Sequence, residues 1–242
     1  MIEIKNLTKK YGNSTIVNDL SFTVEDGSIT GFIGPNGSGK TTTLKMTTGV
    51  LTPTAGTVLL NGIDISRHSI DAKRQFGFVS DSPDHFLRLT GLEYVNFMAD
   101  MYDVPSEGRG KFITDYAERF DIAQSLNTKI LAYSHGMRQK IMIIGCLIHN
   151  PSIWILDEPM LGLDPQSAFE LKTMMKEHAR NGNSVLFSTH VLEVAEKLCD
   201  KVVIIKKGTL KYTGTVEELR AQNEGKSLEE IFIDLTRRDA NE

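Results

Sequence analysis

Apolar residues in the first part of the chain recur at strand spacing. Ile2, Ile4 and Leu7 open one strand, and Leu20, Phe22 and Val24 alternate with polar neighbours until Glu25-Asp26-Gly27 ends a second. Residues 28–33 form an apolar, strand-like run. A helical pattern over 40–48 follows, stopped by Gly49, and 52–56 is turn material. Residues 57–65 predict a hairpin around Asn61-Gly62, and Phe76-Gly77-Phe78-Val79 is a short apolar run of the buried, parallel kind.

The period changes after Asp81-Ser82-Pro83-Asp84. Helical spacing then runs over 92–101, 111–120 and 134–149, with no strand pattern between them. Beyond Asn150-Pro151, strands at 153–156, 184–188 and 201–206 alternate with helices at 169–180 and 192–198. Alternating strands and helices imply a parallel sheet with right-handed crossovers. The predicted organisation is an α/β core from 1–83 and 151–215, an inserted helical subdomain at 84–150, and a helical, polar tail at 216–242.

Composition narrows the class. The 242 residues are 40% hydrophobic and 24% charged, ordinary for a soluble globular protein. A net charge of −4 gives no basic footprint, so no nucleic-acid partner is expected. Cys146 and Cys199 lie far apart inside apolar patterns, which argues against a disulfide framework and fits a reducing compartment. The N-terminus lacks the layout of a signal peptide, and the longest apolar run, 141–148, is far short of the ~20 residues a spanning helix needs. Service to a membrane would therefore be as a peripheral subunit.

Candidate chemistry centres on Gly34-Pro35-Asn36-Gly37-Ser38-Gly39-Lys40-Thr41, which has the P-loop spacing G-x-x-x-x-G-K-[ST]. Its glycines let successive backbone N–H groups face one concavity, and the helix that follows adds its positive end. Gly34, Asn36, Gly37, Ser38, Gly39, Lys40, Thr41 and Thr42 form the expected phosphate-binding set. Lys40 reaches the β and γ phosphates, and Thr41 offers its hydroxyl to Mg²⁺. A second signal is the apolar strand that ends in Asp157-Glu158. It sets two carboxylates at the C-terminal edge of the sheet, where a cation offsets their cost: Asp157 for the metal, Glu158 for the attacking water. Ser134 is an N-cap whose helix presents another anion-binding end, and ordinary capping also explains it. His190 closes a strand, where it either donates to phosphate or is structural. Gly162-Leu163-Asp164-Pro165 is a plain turn by composition. Tyr11, in a polar loop beside Gly12, is either a core anchor or a stacking platform.

Taken in order, these motifs resemble the ATP-binding subunit of an ATP-binding-cassette (ABC) transporter over essentially 1–215. The resemblance implies a P-loop NTPase (RecA-like) core with an antiparallel β subdomain and the inserted helical one. It implies ATP and Mg²⁺ as ligands, Tyr11 stacked on adenine, Glu158 as catalytic glutamate and His190 as switch histidine. Residues 133–137 hold the signature position and Leu163-Asp164 the D-loop. It further implies that two such subunits, identical or paralogous, pair head to tail, so that Ser134 and Gly136 of one close the ATP held by the P-loop of the other. Two departures stand out. The signature is Tyr133-Ser134-His135-Gly136-Met137 where the family usually has Leu-Ser-Gly-Gly-Gln, and Asp81 stands where it usually has glutamine. Asp81 is expected to reach Mg²⁺ and to couple nucleotide state to the membrane partner.

The signature form, with the Ser227 to Phe232 segment, is similar to bacterial exporters of the ABC-2 type, and the roughly 27 residues after Thr215 are too few for the β domain of sugar importers. A separate transmembrane permease is the implied partner, met at the cytoplasmic side of a bacterial membrane. Phe86, Leu87, Tyr94, Phe97, Met98, Met101 and Tyr102 are candidates for its docking surface, though a stripe such as Tyr94, Phe97, Met98 and Met101 at helical spacing is more often core than interface. The alternative function is a nucleotide-gated binding subunit that hydrolyses weakly.

Overall fold

The computed structural model describes residues 1–223 and 225–237. The chain opens with β1 (Ile2–Tyr11), β2 (Ser14–Val24), β3 (Ile29–Ile33), α1 (Lys40–Thr47), β4 (Ala55–Leu60), β5 (Ile63–Asp64), α2 (Ser69–Lys73) and β6 (Phe76–Val79). A helical stretch follows with α3 (Gly91–Met101), α4 (Arg109–Arg119) and α5 (His135–Leu147). The last part supplies β7 (Ile153–Leu156), α6 (Pro165–Arg180), β8 (Ser184–Thr189), α7 (Leu192–Leu198), β9 (Lys201–Lys206), β10 (Thr209–Thr215), α8 (Val216–Ala221) and α9 (Leu228–Arg237).

Two sheets form. One is antiparallel in the order β2-β1-β4-β5, and the other runs β10-β9-β3-β8-β7-β6. In the second, β9, β3, β8, β7 and β6 are parallel and only edge strand β10 is antiparallel. All five residues of β3 and all four of β7 are buried, as expected of strands covered on both faces. Alternation along β7 divides the core. Trp154 and Leu156 face the cluster shared with α3, α4, α5 and α6, while Ile153 and Ile155 join Ile2, Leu20, Phe22 and Phe32 beneath the antiparallel sheet.

This topology creates the site. Ile33 pairs with Thr189 and Leu156 with Phe187, so β3, β7 and β8 end together. The chain leaving β3 enters the P-loop, that leaving β7 carries Asp157 and Glu158, and that leaving β8 reaches His190. Ligands of open α/β sheets bind at this edge.

Several elements differ from their sequence expectation. Tyr11 ends β1 instead of sitting in a loop; it is 53% exposed, with Lys9 Nζ 4.9 Å from its ring centre, and anchors no core. α6 begins at Pro165, ahead of the predicted 169, because Asp164 caps it and Pro165 occupies the first turn. Lys207-Gly208 turns into β10, a strand the pattern did not announce because its residues are nearly all half-buried and lack alternation. In the docking set, Tyr94 is buried in the core and Tyr102 stacks on His149 at 3.7 Å. Phe86, Phe97 and Met101 are exposed. The tail packs: Val216, Leu219 and Ile231 cover Ile33, Val202 and Ile204, and residues 238–242 of it lie outside the described residues.

Candidate nucleotide site

The P-loop is fixed by backbone geometry. Gly37 and Gly39 take positive φ (76° and 103°), and a Cβ on Gly39 would lie 3.0 Å from the Ile16 carbonyl. A Cβ on Gly34 would meet Ser38 Oγ at 2.5 Å and the Ile205 carbonyl at 2.6 Å. The loop is tied to the β9–β10 turn, because Gly208 N–H donates to the Ser38 carbonyl at 2.9 Å. In turn Asn18 N–H donates to Gly208 O at 2.9 Å, which links loop, turn and β2. Gly39 precedes α1, whose first residue is Lys40.

Lys40 is buried except for 6% of its surface. Its ammonium donates to the Gly34 carbonyl at 2.8 Å and stands 3.5 Å from Glu158 Oε1. The other Glu158 oxygen, Oε2, lies 3.0 Å from His190 Nδ1. A nitrogen facing a carboxylate at that distance carries the proton, so His190 donates. Glu158 itself has φ 47°, a conformation that costs a non-glycine residue energy and aims its carboxylate back toward Lys40 and His190.

Asp157 is fully buried. Its Oδ1 accepts from the Ser188 hydroxyl, while Oδ2 is buried with no partner. Burial pushes its pKa above the ordinary carboxylate value, opposed by the nearby Ser188 and Thr41 hydroxyls and reinforced by the charges of Asp81 and Glu158. A buried carboxylate oxygen lacking a donor, beside a threonine hydroxyl, is the donor set a hard cation fits. A cavity of about 380 Å³ is lined by Ile16, Asn36, Gly37, Gly39, Lys40, Thr41, Thr42, Asp81 and Glu158.

The predicted residues thus fall into two groups. The P-loop set, Asp81, Asp157, Glu158 and His190 converge on one sheet edge. Ser134, Gly136 and Tyr11 do not line that cavity. Ser134 caps α5, accepting from Met137 N–H at 3.2 Å. Gly136 lies so close to the Gly162 carbonyl that an added Cβ would sit 2.6 Å from it.

Two contributors escaped the sequence reading. Ser188 accepts the Glu158 N–H at 2.9 Å while donating to Asp157, and its signal was only a polar residue near the end of an apolar strand. Lys140, buried on α5, donates to Asp164 at 2.9 Å. Asp164 also accepts from Ser167 N–H and Oγ, and these bonds with Lys140 hold its carboxyl well below the usual range.

Comparison with known proteins adds independent findings. The family described as ABC transporter matches residues 17–161. The ABC-type transporter ATP-binding protein EcsA of Bacillus subtilis (strain 168) is 34% identical over 242 residues, 99% of this chain and 98% of that protein. A solved structure titled as the ATP binding subunit of an ABC transporter superposes with TM-score 0.92 at 32% identity, over 97% of this chain and 99% of that one. The dimeric structure of MJ0796, a bacterial ABC transporter cassette, superposes with TM-score 0.82 at 25% identity, over 89% and 99%.

Proposed function

Because this chain belongs to the ABC transporter family, as an ATP-binding and ATP-hydrolysing subunit that powers transport, we propose that the cavity at its P-loop is the ATP site, worked by the residues described above. The observation that carries the reading is Glu158, held between Lys40 and His190 at the mouth of the P-loop. The P-loop amides and Lys40 bind the β and γ phosphates. Thr41, Asp157 and Asp81 would hold Mg²⁺, which supplies positive charge against the triphosphate oxygens. Exposed Tyr11 offers its ring to adenine.

In hydrolysis, Glu158 accepts a proton from the water whose oxygen bonds to the γ-phosphorus. The bond from that phosphorus to the β–γ bridging oxygen breaks, leaving ADP and phosphate. The His190 N–H keeps the carboxylate aimed, and Lys40 offsets charge that builds on the phosphates. A second cassette, a copy or a paralogue, closes the site head to tail with its Ser134 and Gly136, a reading supported by the dimeric state of a relative.

No helix among the described residues is long and apolar enough to cross a membrane, and the membrane-crossing part in this reading is a separate permease. It docks where the Phe86 and Phe97 rings meet at a tilt, 5.5 Å between centres, beside a groove of about 500 Å³ that includes Asp81, Pro83 and Met98. That contact holds the subunit at the cytoplasmic face of the membrane. The Tyr-Ser-x-Gly-Met signature supports export as the direction.

Steady-state ATPase assays with and without the membrane partner test the reading. Glu158→Gln abolishes turnover and traps an ATP-bound dimer on size-exclusion chromatography; retained turnover in that variant would remove the mechanism. His135, Met137 and Asp81 favour a second reading, a nucleotide-gated subunit with weak hydrolysis, and the wild-type turnover number decides between them.

A further inference from the structure

The acids around the P-loop are unequally compensated. Glu158 is answered by Lys40 at 3.5 Å and by His190 at 3.0 Å. Asp157 is buried with one oxygen bonded to a neutral hydroxyl and the other, Oδ2, without a partner. Asp81 follows β6, lines the same cavity, is exposed, and makes no hydrogen bond or ion pair among the described residues. The one lysine that lines this cavity lies against Glu158, and Asp81 is the acid there that no hydrogen bond or ion pair answers.

We propose that Asp81 makes nucleotide capture obligatorily metal-coupled: its uncompensated carboxylate repels a metal-free nucleoside triphosphate and admits the triphosphate only together with a divalent cation. The inference rests on the reading of the cavity as the ATP site. A triphosphate brings several negative charges to a site whose single ammonium is already shared with Glu158. A neutral amide at position 81 would accept the metal–nucleotide complex without penalising the bare nucleotide, whereas a carboxylate does both. Magnesium is held by one or two carboxylates together with substrate phosphates and water rather than by an all-protein cage, so the triphosphate supplies ligands that these side chains do not. Metal and nucleotide therefore enter as one ligand. One unit charge in such partly solvated surroundings alters triphosphate affinity by about tenfold, and more at low salt.

The test is equilibrium binding of a fluorescent ATP analogue to the full chain by anisotropy, in Mg²⁺ and in EDTA. Wild type, Asp81→Asn and Asp81→Gln are compared at low and high salt. Position 81 is exposed, so both variants fold, and thermal melting checks this. Metal-free binding tightens by about tenfold in both variants at low salt, and the gain shrinks as salt rises. A metal-free Kd within twofold of wild type in both variants overturns the proposal. Absence of binding by wild type even with Mg²⁺ overturns the ATP-site reading, and this inference with it.

Discussion

The Ser188 hydroxyl accepts the backbone N–H of Glu158 at 2.9 Å while donating to Asp157, so one side chain of β8 fixes both acids that end β7. Glu158 gains from this bond because its positive φ costs energy that neighbouring contacts must offset. Ser188→Ala therefore removes a donor from a fully buried carboxylate and an acceptor from a strained peptide. The expected cost is about 1–3 kcal/mol of stability. Turnover falls further than this, because Glu158 loses its aim, while ATP binding by the P-loop changes little. Urea unfolding and a comparison of nucleotide Kd with kcat check the split; equal loss in binding and turnover would assign Ser188 to folding alone.

The sequence disclosed most of what is local and periodic. The P-loop spacing, the apolar run into Asp157-Glu158 and the three-helix insertion are visible without coordinates, because each depends on neighbours within a few residues. Contacts made across the sheet edge were not visible. Ser188 and Asp157 are 31 positions apart and Lys140 and Asp164 are 24 apart, and neither pair belongs to a motif window. Tyr11 shows the limit from the other side: an aromatic beside glycine suits a core or a surface equally, and only the strand that carries it decides. Ser134 and Gly136 read as a plain helix cap from local geometry, since the role proposed for them needs a second chain.

Acid should destabilise this protein in a particular window. Burial lowers the pKa of His149 and of His178 from 6.5 to about 4. Both rings are then neutral in the folded chain at pH 5 to 6 and protonated in the unfolded one. The unfolded state binds more protons, so stability is full above pH 6.5 and falls as pH drops from 6.5 toward 4. The limit is about 1.4 kcal/mol per pH unit for each ring, less for half-buried His149, where solvent screens the charge. Denaturant unfolding at half-unit steps measures the slope, and His178→Gln flattens it. A slope confined below pH 4 would instead implicate carboxylates such as Asp164, whose depressed pKa acts only there.

The contact between signature helix and D-loop predicts how closure fails. Gly136 touches the Gly162 carbonyl, Gly162 in turn packs on the His135 ring, and Lys140 donates to Asp164 one turn along. These contacts join the start of α5 to the start of α6 and brace one segment against the other. A methyl at 136 would sit 2.6 Å from a backbone oxygen, which a shift of the loop must relieve. Gly136→Ala should cost about 1–3 kcal/mol of stability. The P-loop is untouched, so the monomer keeps its ATP affinity within a few-fold. ATP-dependent dimerisation of the Glu158→Gln background is lost, as read by size-exclusion chromatography of Gly136→Ala/Glu158→Gln. A dimer of undiminished stability in that double variant would show that the D-loop adjusts freely, and that the signature helix meets its partner's nucleotide without help from Gly162.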